Sequence, residues 1–311
     1  MSAVIEVRNL VKAFGDLLAV DDLSFTVYEG DVYGFLGQNG AGKSTTIRML
    51  LSLIRPDSGN ISLLGKSLLT ERHAILRQVG AVIERPDLYK YLSAYENLSI
   101  FARMSGIKPV NRRLMDQLEQ VGLAERAHSR VETYSQGMKQ RLGIAVALIH
   151  DPRLVILDEP TNGLDPQGIA DMRNLIMGLS RDLNKTVLVS SHLLSEIEQI
   201  ATRMIIIDKG KKIVEGNVDE LFHPGNNRVH LEVAEQEKAW QLLSESRWGK
   251  NLEREDNAQL ALQMPPEDVP LLVQLLVKNE ISILSVRKAN TLEDYFLSLT
   301  AGKQHVAAFT N

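Results

Sequence analysis

Residues 37–45 read GQNGAGKST, a stretch in which three glycines precede a lysine and two hydroxyl side chains. The apolar run VYGFL at 32–36 precedes it and IRMLL at 47–51 follows it, which predicts strand, loop and helix in that order. A loop before a helix N-terminus offers unpaired backbone N–H groups, and the helix dipole favours an anion there. Glycines let the backbone curl around phosphates because they carry no Cβ.

The spacing in this loop matches G-x-x-x-x-G-K-[ST] at Gly37, Gly42, Lys43 and Ser44. That pattern predicts a nucleotide site in which Lys43 reaches the β- and γ-phosphates and the Ser44 hydroxyl ligates Mg²⁺. The alternative is a glycine-rich structural turn, but the flanking strand and helix favour nucleotide binding.

The bulk properties indicate a two-domain globular protein. The chain has 311 residues, and domains usually hold ~100–200. A net charge of −4 argues mildly against a nucleic-acid partner. With no cysteine, disulfides and thiolate metal sites are excluded. The N-terminus lacks the layout of a secretory signal, and no apolar run approaches the ~18 residues that span a bilayer. We therefore predict a cytoplasmic protein whose membrane connection, if any, runs through a partner.

Alternating strands and helices predict an α/β fold with a largely parallel sheet. The apolar runs at 154–157 and 186–189 have the composition of strands buried on both faces. Residues 3–8 and 23–28 alternate with period two, 60–64 forms a short strand, and 204–208 with 212–215 forms a hairpin. Residues 71–145 are expected to be mostly helical, with breaks at Pro86 and Pro109.

A smaller second domain is predicted after the first, which spans residues 1–222. Residues 223–228 form a linker, and residues 229–300 show strands and helices that suggest a small α+β domain of the split-βαβ, ferredoxin-like type, ending in a helix at 292–299. Residues 301–311 are expected to be a disordered tail. This domain carries no recognisable catalytic constellation, so stabilisation, dimer support and regulation all remain open as its role.

Two carboxylates follow the apolar strand at 154–157. Asp158, at the end of that strand, is the residue type that anchors Mg²⁺ beside a triphosphate. Glu159 is the natural base for the attacking water. A plain strand cap is the alternative, and the glycine loop elsewhere in the chain disfavours it.

A further stretch, YSQGM at 134–138, places a Ser-x-Gly turn before the apolar run at 142–149, and such a turn at a helix start suits a phosphate. Together with GQNGAGKST, LVILDE at 154–159, Gly163-Leu164-Asp165 and His192, it completes a series of motifs in a familiar order. Over residues 3 to about 222 the chain resembles the nucleotide-binding subunit of an ABC transporter. The resemblance implies a P-loop ABC ATPase domain with a mixed sheet, an antiparallel N-terminal subdomain and a helical subdomain.

The resemblance also implies ligands and partners. It implies ATP and Mg²⁺, a second copy of the chain in a head-to-tail dimer with ATP between the copies, and an integral membrane permease that holds the protein at the inner face of the cell membrane. Nucleic acid is not expected.

By the same resemblance, each site residue has an implied role. Glu159 activates water, and His192 contacts the γ-phosphate. Ser44, Asp158 and Glu84 are the implied metal ligands, and the Phe14 ring stacks on adenine. The nucleotide-binding residues are Phe14, Gly37, Asn39, Gly40, Gly42, Lys43, Ser44, Thr45, Ser135, Gly137 and Asp165.

Two departures from the family pattern stand out. Gln136 and Met138 replace a glycine and a glutamine of the usual signature, while Ser135 and Gly137 are kept. Glu84 stands where the family has the glutamine of its Q-loop, which adds negative charge near the triphosphate. Glu84, the segment at 89–98 and the ending LEDYFLSLT at 292–300 resemble the bacitracin, lantibiotic and multidrug exporter branch.

The resemblance predicts a motor subunit that powers export of a substrate such as an antibiotic, peptide or drug. The alternative is an ABC-type ATPase that acts on ribosomes or DNA, which the single glycine loop and the lack of a sustained heptad run disfavour. A P-loop kinase or GTPase would leave YSQGM unexplained. A non-catalytic regulatory subunit would leave Lys43, Asp158, Glu159 and His192 without a common purpose.

Overall fold

A computed structural model of the chain describes residues 2–84, 86–221, 228–254 and 260–289. It divides into two compact units, Met1–Asn217 and Val218–Asn311. The strands of the first unit are β1 (Ala3–Phe14), β2 (Leu17–Tyr28), β3 (Val32–Leu36), β4 (Ser58–Leu63), β5 (Lys66–Ser67), β6 (Val79–Val82), β7 (Leu154–Asp158), β8 (Thr186–Ser191), β9 (Arg203–Asp208) and β10 (Lys211–Asn217). Its helices are α1 (Lys43–Leu50), α2 (Arg72–Leu76), α3 (Ala94–Met104), α4 (Asn111–Gln120), α5 (Gln136–Leu148), α6 (Pro166–Arg181) and α7 (Leu194–Glu198).

A six-stranded sheet in the order β10-β9-β3-β8-β7-β6 carries the site. All its neighbours run parallel except the β9–β10 hairpin. Every residue of β3, β7 and β8 is buried, which explains why these strands are apolar on both faces. Since β8 lies between β3 and β7, the loops that follow these three strands leave the sheet side by side at its carboxyl edge.

A second, antiparallel sheet in the order β2-β1-β4-β5 covers part of the same core. The β1–β2 hairpin turns at Gly15, whose φ of 57° lies in the left-handed region. Both strands are longer than the sequence predicts, because irregularities in the β1–β2 register interrupt their period-two pattern without ending the pairing.

The expectation that residues 71–145 are mostly helical is wrong at β6, which pairs in parallel with β7. A Cβ on Gly80 would lie 2.2 Å from the carbonyl oxygen of Ala147, so β6 lies directly against the end of α5. The periodicity of a four-residue apolar run does not distinguish a strand from a segment of buried helix, so this stretch was predicted as helix.

The second unit contains α8 (Val218–Leu221), β11 (Arg228–Val233), α9 (Gln236–Ser244), β12 (Leu252–Arg254), β13 (Leu260–Gln263), α10 (Val269–Lys278) and β14 (Ile283–Ala289). From β11 onward the order is β-α-β-β-α-β, and the antiparallel sheet runs β12-β13-β11-β14. Leu231, Leu243, Leu262, Leu272 and Leu276 lie in its separate core. The fold class is therefore confirmed as an α/β unit followed by a small α+β unit. The helix at 292–299, the tail at 301–311 and nearly all of the linker lie outside the described residues.

Candidate functional site

The glycine loop joins β3 to α1, as its sequence predicts. Gly40 and Gly42 have φ values of 85° and 103°, and a Cβ on Gly42 would lie 2.5 Å from the carbonyl oxygen of Ala19. Only glycine fits such a position without a backbone shift. Gly42 is the N-cap of α1 and makes no side-chain cap bond, which leaves the first N–H groups of the helix available to an anion.

Lys43 lies under this loop and is only 5% exposed. Its Nζ donates to the carbonyl oxygens of Gly37 at 2.7 Å and Gln38 at 3.3 Å. The same Nζ is 3.1 Å from Oε1 of Glu159. The buried Lys43 ammonium is therefore held at the loop by two backbone carbonyl groups and one carboxylate.

Glu159 continues this chain of contacts to the end of β8. Its Oε2 is 2.7 Å from Nδ1 of His192, whose side chain is one-third exposed. The structure thus brings together Lys43 at the start of α1, Glu159 after β7 and His192 after β8. Glu159 has a φ of 50°, an uncommon backbone conformation for a residue with a side chain.

Asp158 is 1% exposed, and only one of its two carboxylate oxygens accepts a hydrogen bond from the described residues. Its Oδ1 accepts a hydrogen bond of 2.6 Å from Ser190 Oγ. Its Oδ2 is buried and has no hydrogen-bond partner among the residues that the structure describes. Ser44 is half-buried, and its hydroxyl also makes no hydrogen bond within those residues.

Sequence reasoning missed four buried polar residues around these loops. Ser190 contacts Asp158 and also accepts the N–H of Glu159 at 2.9 Å. Oε2 of Glu196 accepts from Thr161 Oγ1 at 2.5 Å and from Ser191 Oγ at 3.3 Å, which ties the turn after β7 to α7. The only local signal is a pair of serines at the end of an apolar strand.

Phe14 ends β1 with its ring 49% exposed. The Lys12 ammonium lies 5.3 Å from the ring centroid. Asp57 accepts hydrogen bonds from the Ala13 N–H at 2.8 Å and from Lys12 Nζ at 2.7 Å, and these two donors, the backbone one first, lower the pKa of Asp57. The ring is available for stacking, and its role as an adenine contact stays a prediction.

Ser135, Gly137 and Asp165 line a second concave surface, a cavity of about 370 Å³ between the N-termini of α5 and α6. Ser135 Oγ caps α5 by accepting from Met138 N at 3.2 Å, and Asp165 caps α6 by accepting from Gly168 N at 2.8 Å. These three residues, all predicted to bind nucleotide, are therefore grouped with each other on these two helix starts.

Glu84 follows β6 and has a φ of 55°. Its carboxylate is 62% exposed and pairs with the guanidinium of Arg48 on α1. Its backbone carbonyl accepts from Gln140 Nε2 of α5 at 3.4 Å. Its assignment as a metal ligand stays a prediction, since the contact that the structure gives it is a cation.

Comparisons with known proteins agree on the family. The family model described as "ABC transporter" matches residues 20–162. The bacitracin transport ATP-binding protein BcrA of Bacillus licheniformis is 42% identical over 303 residues, which cover 97% of this chain and 99% of that protein. The lantibiotic transport ATP-binding protein SrtF of Streptococcus pyogenes is 39% identical over 235 residues, 74% of this chain and 99% of that protein. A solved structure of an ATP binding subunit of an ABC transporter is 32% identical with a TM-score of 0.62, covering 70% of this chain and 91% of that one.

The fold and the site define a P-loop nucleotide-binding protein of the ABC type. The chain belongs to the ATP-binding proteins of the ABC transporter family, as the order of its motifs predicted. ATP-binding subunits of this family are ATPases. Among the described residues, no helix is both long enough and apolar enough to cross a membrane.

Proposed function

We propose that this chain hydrolyses ATP with Mg²⁺ and so powers export of an antibiotic peptide or a related compound through a separate membrane permease. The observation that carries the proposal is the contact chain Lys43–Glu159–His192. An ammonium, a carboxylate and an imidazole meet there at the carboxyl edge of one sheet, where ligands bind in open α/β folds. This supports a phosphate contact, a base and a γ-phosphate contact as their proposed roles.

The residues present fit a magnesium ion. Oδ2 of Asp158, which is buried and has no hydrogen-bond partner among the described residues, and the Ser44 hydroxyl are the oxygen donors that would hold it, together with nucleotide phosphates. When bound, the ion supplies positive charge to the phosphate oxygens. No group of three or more His, Asp or Glu side chains in the described part of the chain is placed to hold a metal, so the phosphates supply further ligands in this proposal.

The Lys43–Glu159 pair has to open for hydrolysis. Lys43 Nζ has three donor hydrogens, and its present acceptors are two loop carbonyls and Glu159. Phosphate oxygens of ATP are stronger, charged acceptors, so ATP draws Lys43 away and leaves Glu159 to accept a proton from water. His192 holds the other carboxylate oxygen through Nδ1, which orients the base.

We propose that two copies form the complete site. Ser135, Gly137 and Asp165 lie on the starts of α5 and α6, whereas the glycine loop lies before α1. In a head-to-tail dimer, each copy presents this second surface to the nucleotide on the other copy's loop. The open space around Gly137, where a Cβ would meet only a leucine methyl at 3.8 Å, suits the approach of a phosphate.

The relatives support the cargo class in this proposal, since two of them are named for bacitracin and lantibiotic transport. Tyr89 and Tyr91, 52% and 80% exposed, precede α3 and supply aromatic surface of the kind found at protein interfaces. We assign this surface to the permease, which would hold the chain at the inner face of the cell membrane.

The test is phosphate release by the purified chain, reconstituted with its permease, with and without Mg²⁺. We expect release that requires the metal and is lost in Lys43→Ala, while Lys238→Ala, an exposed lysine of the second unit, leaves it unchanged. Release that is absent in the wild type, or equal in Lys43→Ala, would refute the proposal.

A further inference from the structure

We propose that Ser190 is a positioning residue that sets both Asp158 and Glu159 for the metal and for water, an inference that rests on the proposed function. Ser190 lies near the end of β8, is fully buried, and is the register partner of Asp158 on β7. Strand β8, which lies between β3 and β7, therefore places a hydroxyl directly beside Asp158, the proposed metal ligand.

The direction of both hydrogen bonds of Ser190 follows from their partners. The backbone N–H of Glu159 can only donate, so Ser190 Oγ accepts from it at 2.9 Å. The hydroxyl has one O–H to donate, and Oδ1 of Asp158 accepts that hydrogen bond at 2.6 Å. One hydroxyl therefore hydrogen-bonds both to the Asp158 side chain and to the Glu159 backbone.

The first consequence concerns Asp158. Because Ser190 satisfies Oδ1, the carboxylate is fixed in one rotamer with Oδ2 left buried and without a hydrogen-bond partner in the described residues. A buried carboxylate oxygen without a donor is costly, and a cation relieves that cost. Ser190 thus orients the ligand in the way that partners of metal-bound carboxylates do.

The second consequence concerns Glu159. Its φ of 50° turns the backbone sharply after the strand, a conformation that persists only when its surroundings hold it. The bond from its N–H to Ser190 holds the peptide plane between Asp158 and Glu159. The side chain of Glu159 is thereby directed to Lys43 and His192.

The test measures metal binding rather than turnover. Ser190→Ala removes the hydroxyl, and Ser190→Cys keeps a weak donor of similar size if the alanine variant fails to fold. The control is Thr186→Val, which removes a buried hydroxyl at the opposite end of β8, where it accepts the Gly30 N–H at 3.1 Å and makes no other hydrogen bond with the described residues. Mn²⁺ binding is followed by electron paramagnetic resonance with a non-hydrolysable ATP analogue, and nucleotide binding is measured separately in EDTA.

We expect Ser190→Ala to weaken Mn²⁺ binding about tenfold, with Ser190→Cys in between and Thr186→Val unchanged. Binding of the metal-free nucleotide should be the same in all four proteins. In an Asp158→Asn background, adding Ser190→Ala should weaken Mn²⁺ binding no further, because Ser190 acts through that carboxylate.

Three results would overturn the inference. Wild-type Mn²⁺ affinity in both Ser190 variants would show that the hydroxyl does not orient the ligand. An equal loss with and without Asp158→Asn would show a general structural effect. If the wild-type chain bound neither Mn²⁺ nor nucleotide in EDTA, the proposed function itself would be refuted. The EDTA measurement distinguishes this result from the other two, in which nucleotide still binds.

Discussion

Some residues of the site can be predicted from the local sequence pattern, and others cannot. Asp158 ends a strand and Lys43, Glu159 and His192 come after one, each in a short pattern with a chemical reason, so their position at one edge of the sheet could be predicted. Ser190 could not, because its role depends on Asp158, which lies 32 residues away along the chain and meets it only through the β7–β8 register. Glu196 likewise acts on Thr161, 35 residues away.

Glu84 is predicted to be a metal ligand, but its carboxylate is exposed and pairs with Arg48. We predict that Glu84→Gln keeps most of the ATPase rate, since an exposed ion pair contributes about 0–1 kcal/mol and the amide keeps an oxygen. Phosphate release at saturating Mg²⁺ and ATP measures this, with Arg48→Gln as the matched removal of the partner. Loss of hydrolysis in Glu84→Gln, with ATP binding intact, would give Glu84 a catalytic role.

At the level of elements, the strands with the most uniform composition were the easiest to predict. The cores of β3, β7 and β8 read as apolar runs because both faces are covered. Strand β6 and the full lengths of β1 and β2 were missed, since they depend on pairing with distant segments rather than on their own pattern. The helix starts of α5 and α6 carry their caps in the sequence, as Ser135 and Asp165.

Helix α3 begins with a capping box in which Ser93 Oγ accepts the Glu96 N–H at 3.2 Å and the Glu96 carboxylate accepts the Ser93 N–H at 2.7 Å. We predict that Ser93→Ala lowers the free energy of unfolding by about 1 kcal/mol at pH 7. The control is Ser105→Ala at the other end of the helix, where the serine is exposed. Urea unfolding measures both, and equal values for the two variants would contradict the prediction.

The same capping box has a pH dependence with a defined sign. The Ser93 N–H, and next the Ser93 hydroxyl, lower the pKa of Glu96. Because the folded pKa lies below the unfolded value of about 4.3, this contribution is present above that pH and is lost as pH falls through the lower folded pKa. Glu96→Gln removes the titrating carboxylate, so the stability difference between wild type and Glu96→Gln should shrink on acidification below pH ~4.3, as urea unfolding measures.

Helix α5 supports the loop after β6 through a glycine. A Cβ on Gly143 would lie 2.6 Å from Cβ and 2.7 Å from Cγ of Pro86. We predict that Gly143→Ala costs about 1–3 kcal/mol of stability and slows hydrolysis, because Pro86 has to move together with the segment that follows Glu84. Gly178→Ala in α6, whose nearest neighbour is a flexible Asp182 oxygen at 3.4 Å, should instead gain about 0.5–1 kcal/mol. Thermal unfolding and phosphate release report both, and a stabilised, fully active Gly143→Ala would contradict the argument.

At the scale of the molecule, the two units have separate hydrophobic cores. We predict that a fragment of residues 1–217 folds and binds Mg-ATP within about twofold of the full chain, as expected of a unit with its own core. SrtF, aligned over 99% of its length with 74% of this chain, supports a shorter functional unit. Titration with a fluorescent ATP analogue measures the affinity, and an unfolded fragment would show that the second unit is needed for the first.

Association of two copies is the other property that belongs to the whole molecule. We predict that Glu159→Gln binds ATP, lowers the hydrolysis rate about 10²–10⁴-fold and accumulates as a dimer, because removal of the base traps the closed state. Light scattering at saturating ATP with the permease present measures the mass, and Glu119→Gln, an exposed carboxylate of α4, is the control. A monomeric Glu159→Gln under these conditions would contradict the composite site.

The six-stranded sheet ends in β6, only four residues long, on one side and in β10, which carries Lys211, Lys212 and Glu215, on the other. Short or charged border strands resist the addition of a further strand. Copies of the chain are therefore not expected to join edge to edge through this sheet, so we expect their association to involve other surfaces.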